Sequence, residues 1–374
     1  MKIEKYIVWL IAAAVSIKLV LFLYIAGVNP ASIMEADSSG YLRDAAAWMQ
    51  YFHTPSEGLQ HSLYRTPGYT FFLAIFHLWL NLPLLSIILL QFILNIFTAI
   101  VVFKTIPSID RRIALLSAAI VLLDLPMTIF SSMIMTESLH VFVLSLFIFS
   151  FVKYINNRQL GWLAGAAVFL MVSVYIRPVG YFLGFAMGAF VLYLWGKNIL
   201  VGVAHALVAL VLVYGFLGIW QYHNLKTFND FTFTNIDHAT LDQNGIIGRY
   251  SREIDPSLKA MPPVLYYVYS VGRNIINLMT TPGDMKYLHS GAWRIFGAAF
   301  GYLFVIFWWI GLIVAVRRFR GDIVEQFLLL VLVYFISVAI VSTGWHVTPR
   351  FRVPMVPMIA ILSARGWMVL LGLL

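Results

Sequence analysis

Long apolar segments recur along the whole chain and are separated by short polar or basic connectors. An α-helix needs about 20 apolar residues to cross the ~30 Å hydrocarbon core of a bilayer. Segments of about that length fall at roughly 6–27, 83–103, 113–132, 138–155, 160–176, 179–196, 199–220, 291–316, 323–343 and 354–373. The pattern predicts an all-α, polytopic membrane protein with about ten transmembrane helices.

Two longer polar stretches, 28–82 and 221–290, interrupt this series and are expected to be external loops of a single membrane domain spanning 1–374. The apolar part of the first loop, 67–82, is too short to cross and suits a re-entrant or interfacial helix. In the second loop, residues 264–279 are expected to form an amphipathic helix on the membrane surface. The predicted fold is therefore a helical membrane domain with external juxtamembrane helices.

Composition agrees with this class and narrows the function. Hydrophobic residues make up 61% of the chain, and the mean hydropathy is +0.87. The net charge is +9, and the basic residues flank the apolar segments. We therefore attribute this charge to loops that face an anionic leaflet, and we expect no nucleic-acid partner. The chain has no cysteine, which excludes disulfides and thiolate nucleophiles.

The short basic connectors define a sidedness. The N-terminal lysines and the connectors KTIPSIDRR, KYINNRQ and RRFR fall on one side if all the predicted segments cross. The positive-inside rule makes that side the cytoplasm, so both long loops are expected outside. The first apolar run is too long for a signal peptide, and we interpret it as an uncleaved first span.

Five arginines break this rule because they lie near the predicted outer face. They are Arg43, Arg65, Arg177, Arg350 and Arg352. A single arginine there could snorkel to lipid headgroups. Five near one face favour a shared anionic ligand.

Three short motifs carry four of these arginines. In YRTPGYTFF, Arg65 precedes a Pro-Gly turn that directs the chain back to the membrane. In YIRPVGY, Arg177 ends one span before a proline. In WHVTPRFRVPMVP, His346, Arg350 and Arg352 precede a proline-started helix, whose N-terminal dipole would favour an anion.

Acidic residues cluster directly after the first apolar segment, in MEADSSGYLRDAAAWM. Ser38 or Ser39 is expected to cap a helix there. We interpret Asp44 as an acid that interacts with the dipole of this helix. Asp37 lies close to the bilayer and to the surplus of arginines, where a carboxylate can take a proton from a hydroxyl. Asp37 is the candidate general base.

A second acidic motif, MIMTESLHVF, places Glu137 and His140 on one helix face. Two such residues without a third nearby make a weak metal site, and a buried Glu137 that positions a loop or substrate is an equal alternative. Asp124, inside an apolar segment, is functional by default but has no partner that the sequence can name.

The order of these motifs resembles the GT-C membrane glycosyltransferases. The resemblance rests on DSSGY, YRTPGY, TES, IRP, WQYHN and PRFRVPMVP, which occur in order over nearly the whole chain. The particular similarity is to bacterial members of the dolichyl-phosphate-mannose protein mannosyltransferase-like group, a broad group that includes the lipid A aminoarabinose transferase. It implies a multi-pass protein of the bacterial inner membrane with its active site facing the periplasm.

The resemblance also implies a reaction and its residues. The donor would be a polyprenyl-phosphate sugar taken from the membrane lipids, and the acceptor a hydroxyl on a lipid, glycan or protein. Asp37 would activate that hydroxyl with Glu35 as the nearby reserve, Glu137 matches a second acidic position, and Arg65, Arg177, Arg350 and Arg352 would hold the lipid phosphate. A divalent cation, Mg²⁺ or Mn²⁺, between Asp37 and Glu137 is left open. The remaining candidates for substrate binding are Tyr41, Tyr64, His140 and His346.

Two other classes compete with an inverting glycosyltransferase. A transporter or flippase of lipid-linked saccharides would also need external arginines, and it predicts charges at mid-membrane and a second site on the cytoplasmic side. The candidate charges for it are Lys18, Asp124 and Arg365. A structural subunit of an envelope complex would not need the cluster of acids and arginines.

Overall fold

The structure, a computed structural model, describes residues 2–55, 58–59, 61–106, 110–235, 261–283, 291–319, 321–343 and 348–374. These ranges are dominated by α-helices and contain no strand, which confirms the predicted all-α class. In chain order the helices are α1 Lys2–Val28, α2 Ser38–His53, α3 Pro67–Leu73, α4 Leu84–Thr105, α5 Arg111–Leu123, α6 Leu125–Ser131, α7 Glu137–Asn157, α8 Leu160–Ile176, α9 Leu183–Leu194, α10 Ile199–Phe228, α11 Pro263–Thr280, α12 Gly291–Arg317, α13 Ile323–Thr343 and α14 Val356–Leu370.

Seven helices in the described ranges are long and apolar enough to cross a membrane. They are Glu4–Val28, Leu84–Thr105, Glu137–Asn157, Ile199–Phe228, Arg294–Arg317, Ile323–Ser342 and Pro349–Leu370. An eighth crossing results if α5 and α6, which meet at a 53° bend, count as one broken span. The protein is thus a polytopic membrane protein.

The expected number of about ten crossings is not confirmed. The two predicted spans at 160–176 and 179–196 do form helices, Leu160–Ile176 and Pro178–Leu194, but both are shorter than the seven helices named above. Arg177 and Pro178 separate them: the chain is extended at Arg177 (φ −151°), and Pro178 starts a short 3-10 turn, Pro178–Gly180. Proline cannot continue the hydrogen bonding of the preceding helix, which explains the early stop.

The helices divide into central and peripheral ones. The most apolar 18-residue stretch of α7 is 72% buried inside the protein, and that of Pro349–Leu370 is 78% buried. The corresponding stretch of α1 is only 17% buried. Exposed apolar residues such as Leu19, Val20 and Leu23 of α1 therefore form a lipid-facing surface. The residues of the central helices, by contrast, are positioned by their neighbours on all sides.

One central contact depends on two glycines. A Cβ on Gly366 of α14 would overlap the backbone oxygen of Gly311 on α12. Small residues at a helix crossing allow the backbones to approach closely, which is the usual way that helices pack within a membrane. This contact fixes α14 and the 3-10 turn before it, Pro349–Met355, which carries two candidate arginines.

Charged residues within the apolar helices make local contacts. The Lys18 ammonium donates to the Thr128 hydroxyl at 2.7 Å. The Asp124 carboxylate caps α6 by accepting from the Met127 backbone N–H at 2.9 Å, which gives this residue the partner that the sequence could not name. Arg365 forms an ion pair with Glu325 of α13, so the last helix holds its arginine against a neighbouring acid.

The segments expected to lie outside the spans are short or amphipathic helices. Segment 67–82 folds into α3 and a π-helix, Ala74–Trp79, together about 20 Å long at ~1.5 Å per residue, which is too short to cross. Helix α11 covers the predicted amphipathic segment 264–279 and exposes Val264, Val268 and Ile276 while burying Ser270 and Leu278. An outward apolar face of this kind is typical of a helix in contact with lipid.

Candidate active site

The first external segment is fixed to the loop before α7. The Ile134 backbone N–H donates to the Ile33 carbonyl at 2.8 Å, and the Ser38 hydroxyl donates to the Ile134 carbonyl at 3.0 Å. Glu35 and Ser38 also bond reciprocally, since the Glu35 N–H donates to the Ser38 hydroxyl and the Ser38 N–H to the Glu35 carbonyl, both at 2.9 Å. Asp37, at the start of α2, is thereby held beside the start of α7, where Glu137 lies.

The YRTPGY motif is fixed to the end of α8. The Thr66 hydroxyl donates to the Ile176 carbonyl at 2.9 Å. Gly68 approaches the same backbone so closely that a Cβ would lie 2.7 Å from the Tyr175 carbonyl carbon. These contacts bring Arg65, one residue before Thr66, to the same point as Arg177, one residue after Ile176.

Five side chains meet there in a continuous network of ion pairs. Arg65 donates to Asp37 Oδ1 at 2.9 Å, and Arg350 Nη1 donates to Asp37 Oδ2 at 2.8 Å. Arg350 also donates through Nε to Glu137 Oε1, which accepts from Arg177 at 2.7 Å as well. Arg350 thus bridges the two carboxylates. Three guanidinium groups against two carboxylates leave a formal surplus of one positive charge.

Burial differs sharply between the two acids. The Glu137 side chain is 1% exposed, whereas that of Asp37 is 32% exposed. The arginines lie between these limits, at 18% for Arg65, 22% for Arg350 and 14% for Arg177. A ligand can therefore reach the network at Asp37, while Glu137 is shielded behind the arginines.

The arginines set the protonation of the accessible acid. Burial alone would raise the pKa of Asp37, but the charges and hydrogen bonds of Arg350 and Arg65 outweigh it and lower the pKa to about 2. Asp37 is therefore a carboxylate throughout the physiological range. In this paired state it is also a weak base, because its proton affinity is low.

Aromatic and amide groups support the network from behind. The Arg65 guanidinium lies over the Tyr41 ring at 4.5 Å from its centroid, and Tyr41 meets Tyr69 edge to face. The Tyr69 hydroxyl donates to Gln91 of α4 at 2.7 Å, and the Gln91 amide donates to backbone carbonyls of the loop before α7. Neither Tyr69 nor Gln91 is recognisable as a site residue from the sequence motifs. An uncharged amide within an apolar segment was the available signal for Gln91.

Arg352 does not join the network, contrary to the expectation that it lines the phosphate site. It is 1% exposed and donates to the carbonyls of Leu278, at 3.0 Å, and Thr281, at 2.7 Å, at the end of α11. The reason is the 3-10 turn Pro349–Met355: with about three residues per turn, side chains two positions apart point to different sides. Arg352 therefore fixes α11, and Arg350 alone of the two faces the acids.

The other candidates have varied positions. Tyr41 lies in the site. Tyr64 is 55% exposed, and its backbone N–H and carbonyl form hydrogen bonds with Ser62 and Thr234. Glu35 contributes the backbone hydrogen bonds described above. His140 is fully buried one turn after Glu137, and neither ring nitrogen has a hydrogen-bond partner among the described residues. Arg43 is 72% exposed and pairs with Asp44 at 3.4 Å. His346 lies outside the described residues.

The two carboxylates do not form a fitting site for Mg²⁺ or Mn²⁺. Such ions take several oxygen ligands, and within the described ranges no three His, Cys, Asp or Glu side chains are grouped to supply them. Arg350 donates to both Asp37 and Glu137 and occupies the space that a shared cation would need. A divalent ion there would face guanidinium groups.

Comparison with known proteins identifies the fold. No family model matches the chain, and no curated protein sequence matches it either. Among solved structures, the archaeal oligosaccharyltransferase AglB from Archaeoglobus fulgidus, in complex with an inhibitory peptide and a dolichol-phosphate, is similar with a TM-score of 0.51 at 12% sequence identity. The oligosaccharyltransferase of Archaeoglobus fulgidus in the apo form gives a TM-score of 0.51 at 13% identity.

Each similarity covers 97% of this chain and 50% of the archaeal chain. The chain thus spans about half the length of the oligosaccharyltransferases that it resembles. The chain therefore shares the fold of these oligosaccharyltransferases over nearly its whole length.

Proposed function

We propose that the protein is a glycosyltransferase that moves a sugar from a polyprenyl-phosphate-linked donor to an acceptor hydroxyl. The observation that carries the proposal is the network of three arginines and two carboxylates on a GT-C fold, in which Arg65 and Arg350 bind the one accessible carboxylate of the network, Asp37. AglB, a structural neighbour with this fold, was solved with a bound dolichol-phosphate, which is the chemical class of donor proposed here.

The arginines provide the phosphate site. A guanidinium group presents its N–H donors in a plane that matches carboxylate and phosphate oxygens equally well. Arg65 and Arg350 already hold Asp37 in this way, at 2.9 and 2.8 Å. A donor phosphate entering beside Asp37 would compete for the same donors and be drawn in by the surplus positive charge.

This competition activates the base. As long as Arg65 and Arg350 bind Asp37, its pKa is lowered to about 2 and it accepts a proton poorly. When a phosphate takes over those guanidinium groups, the pKa of Asp37 rises towards the ordinary aspartate value of about 3.9. Donor binding and base activation are thereby coupled, and a carboxylate without a donor in place stays inactive.

The reaction then follows as a single displacement. The acceptor oxygen attacks the anomeric carbon while Asp37 takes its proton, and the bond to the polyprenyl phosphate breaks. Arg65 and Arg350 offset the charge that builds up on the leaving phosphate. One displacement inverts the configuration at the anomeric carbon.

Glu137 acts as a positioning residue. It is buried and accepts from both Arg177 and Arg350, so it keeps two guanidinium groups oriented when Asp37 gives up its partners. A buried carboxylate with two arginine partners cannot leave the network without exposing unpaired charge. Glu137 therefore preorganises the phosphate site, and Asp37 occupies its arginines until a phosphate displaces it.

The charges within the apolar helices favour a transferase over a flippase. A flippase would need polar groups free to bind the saccharide during passage. Lys18 instead donates to Thr128, Asp124 caps α6, and Arg365 pairs with Glu325. All three thus have a local structural role.

The environment of the reaction follows from the sequence. The basic connectors predict that the proposed site faces the outside of the membrane. That this is a bacterial inner membrane, and that the donor enters from the bilayer, is what the resemblance to GT-C enzymes implies. The acceptor is a hydroxyl of a lipid, glycan or protein.

The test is a transfer assay with purified protein. A panel of polyprenyl-phosphate sugars is offered with candidate acceptors, and release of polyprenyl phosphate is measured. We expect acceptor-dependent release by the wild type and none by Asp37→Asn. Release that is equal in the two proteins, or ATP-independent movement of intact donor across vesicles with no release, would contradict the proposal.

A further inference from the structure

A second group of basic residues lies at the opposite end of the helical bundle from Asp37. Lys104 near the end of α4, Arg111 at the start of α5 and Lys153 near the end of α7 line a cavity of about 460 Å³ together with Phe103, Asp110 and Phe149. Glu137 begins α7, and Lys153 lies roughly 24 Å further along that helix at ~1.5 Å per residue. The cavity is therefore separate from the proposed active site.

The cations of this cavity have no acidic partner in the described part of the chain. Asp110 is the acid that lines it, and its carboxylate already accepts from the Arg112 backbone N–H at 2.8 Å and pairs with the Arg112 side chain at 3.0 Å. Lys153 lies over the Phe149 ring at 5.4 Å, a contact that leaves its N–H donors available. The N-terminal end of α5, which begins at Arg111, adds positive potential.

An apolar track on α4 leads directly to this cavity. Ile93, Phe97 and Ile100 are exposed, and with Lys104 they follow at spacings of four, three and four residues, which places them on one helix face. Such a face in a membrane-spanning helix contacts acyl chains. The cationic group at its end therefore lies where the headgroup of the same lipid would be.

We propose that this cavity binds the phosphate group of an anionic membrane lipid, with the acyl chains lying along Ile93, Phe97 and Ile100. Convergent lysine and arginine side chains at the end of a span bind lipid phosphate through charge and N–H donors. The continuous apolar track favours a lipid over free phosphate as the source of that group. This site is independent of the proposed transfer reaction.

The test measures binding of phosphatidylglycerol, phosphatidylcholine and inorganic phosphate to the purified full chain by native mass spectrometry. The variant is the triple substitution Lys104→Gln, Arg111→Gln and Lys153→Gln. The matched control replaces three exposed basic residues outside the cavity, Lys197→Gln, Arg317→Gln and Arg318→Gln. The unfolding temperature of each protein with and without lipid is the second readout.

We expect the wild type and the control to prefer phosphatidylglycerol over phosphatidylcholine, and the triple variant to bind it about tenfold or more weakly. Phosphatidylglycerol should raise the unfolding temperature of the first two proteins and not of the third. If the triple variant does not fold, Lys153→Gln alone should show a smaller loss in the same direction. Equal binding by variant and wild type, an equal loss in the control, or an equal stabilisation by inorganic phosphate would overturn the proposal.

Discussion

The two basic regions of the molecule differ in whether their positive side chains are paired with carboxylates. At the proposed active site Arg65, Arg177 and Arg350 are each paired with a carboxylate and at most 22% exposed. At the opposite end Lys104 and Arg111 are exposed and the one lining acid is engaged by Arg112.

The difference bears on what each region can do. Paired, largely buried arginines are held in one geometry and can exchange one anionic partner for another, as a catalytic phosphate site requires. Exposed cations without acids attract an anion by charge and orient it loosely, which is sufficient for a lipid headgroup. If this difference matters, disrupting the ion pairs of the proposed active site should have larger effects than changes outside it.

The largest effect is expected from removing the accessible acid. Asp37→Asn keeps the shape of the side chain but cannot accept the proton, so the transfer rate should fall about 10²- to 10⁴-fold or more. Asp44→Asn is the matched control on the same helix, since Asp44 is buried and lies outside the network. The rate of polyprenyl phosphate release is the measurement, and comparable losses in both variants would argue against a specific role of Asp37.

The next effect concerns stability. Glu137→Gln leaves Arg177 and Arg350 without their buried counter-charge, and breaking such a pair costs about 3–5 kcal/mol. We expect a clearly lower unfolding temperature in detergent, with Glu35→Gln as the control because Glu35 takes part through its backbone. A Glu137→Gln protein as stable as the wild type would show that the acid does not organise the arginines.

A smaller effect is expected from the loop that positions Arg65. In Gly68→Ala the added Cβ would lie 2.7 Å from the Tyr175 backbone, so the loop must shift at a cost of about 1–3 kcal/mol. Transfer should weaken together with stability. Gly161→Ala is the control, because nothing lies within 4 Å of a Cβ there. Unfolding temperature and transfer rate should both be near wild type in that control.

The pH dependence of stability gives a finer test of the pairing. Because the pKa of Asp37 is lowered to about 2 in the folded protein, its ion pairs stabilise the fold above the unfolded value of about 3.9. That contribution is lost as the pH falls from about 4 through 2. The difference in stability between wild type and Asp37→Asn should therefore shrink over this range, and a difference independent of pH would contradict the pairing.

The smallest effect is expected from metal removal. Since Arg350 occupies the space between Asp37 and Glu137, a chelator should leave the transfer rate unchanged, and added Mg²⁺ or Mn²⁺ should not raise it. A rate restored specifically by one of these ions after chelation would show that the arginine moves aside for a metal.

Much of this site could be predicted from the sequence because membrane sidedness sorts charged residues by face. The charge pattern predicts an outer-face position for Asp37, Arg65, Arg177 and Arg350. The structure brings these four residues together with Glu137. Their roles in transfer remain predictions. The lengths of the apolar segments are sufficient to predict the membrane helices themselves.

Three features could not be predicted, each for a physical reason. Arg350 and Arg352 look equivalent in sequence, and which of the two faces the acids depends on how the turn Pro349–Met355 packs against α7 and α11. The number of full crossings depends on helix lengths that apolar runs give only approximately, as the 53° bend between α5 and α6 shows. The support from Tyr69 and Gln91 is a contact between distant segments, which no local pattern records.

The central claim, that a phosphate and Asp37 compete for the same arginines, has a direct test. The affinity of polyprenyl phosphate for the wild type is compared with that for Asp37→Asn by equilibrium binding to the purified proteins. Removing a carboxylate within about 4 Å of the phosphate removes a repulsion of roughly 1 kcal/mol or more. We predict that Asp37→Asn binds polyprenyl phosphate about fivefold or more tightly than the wild type, and weaker or unchanged binding would contradict the account.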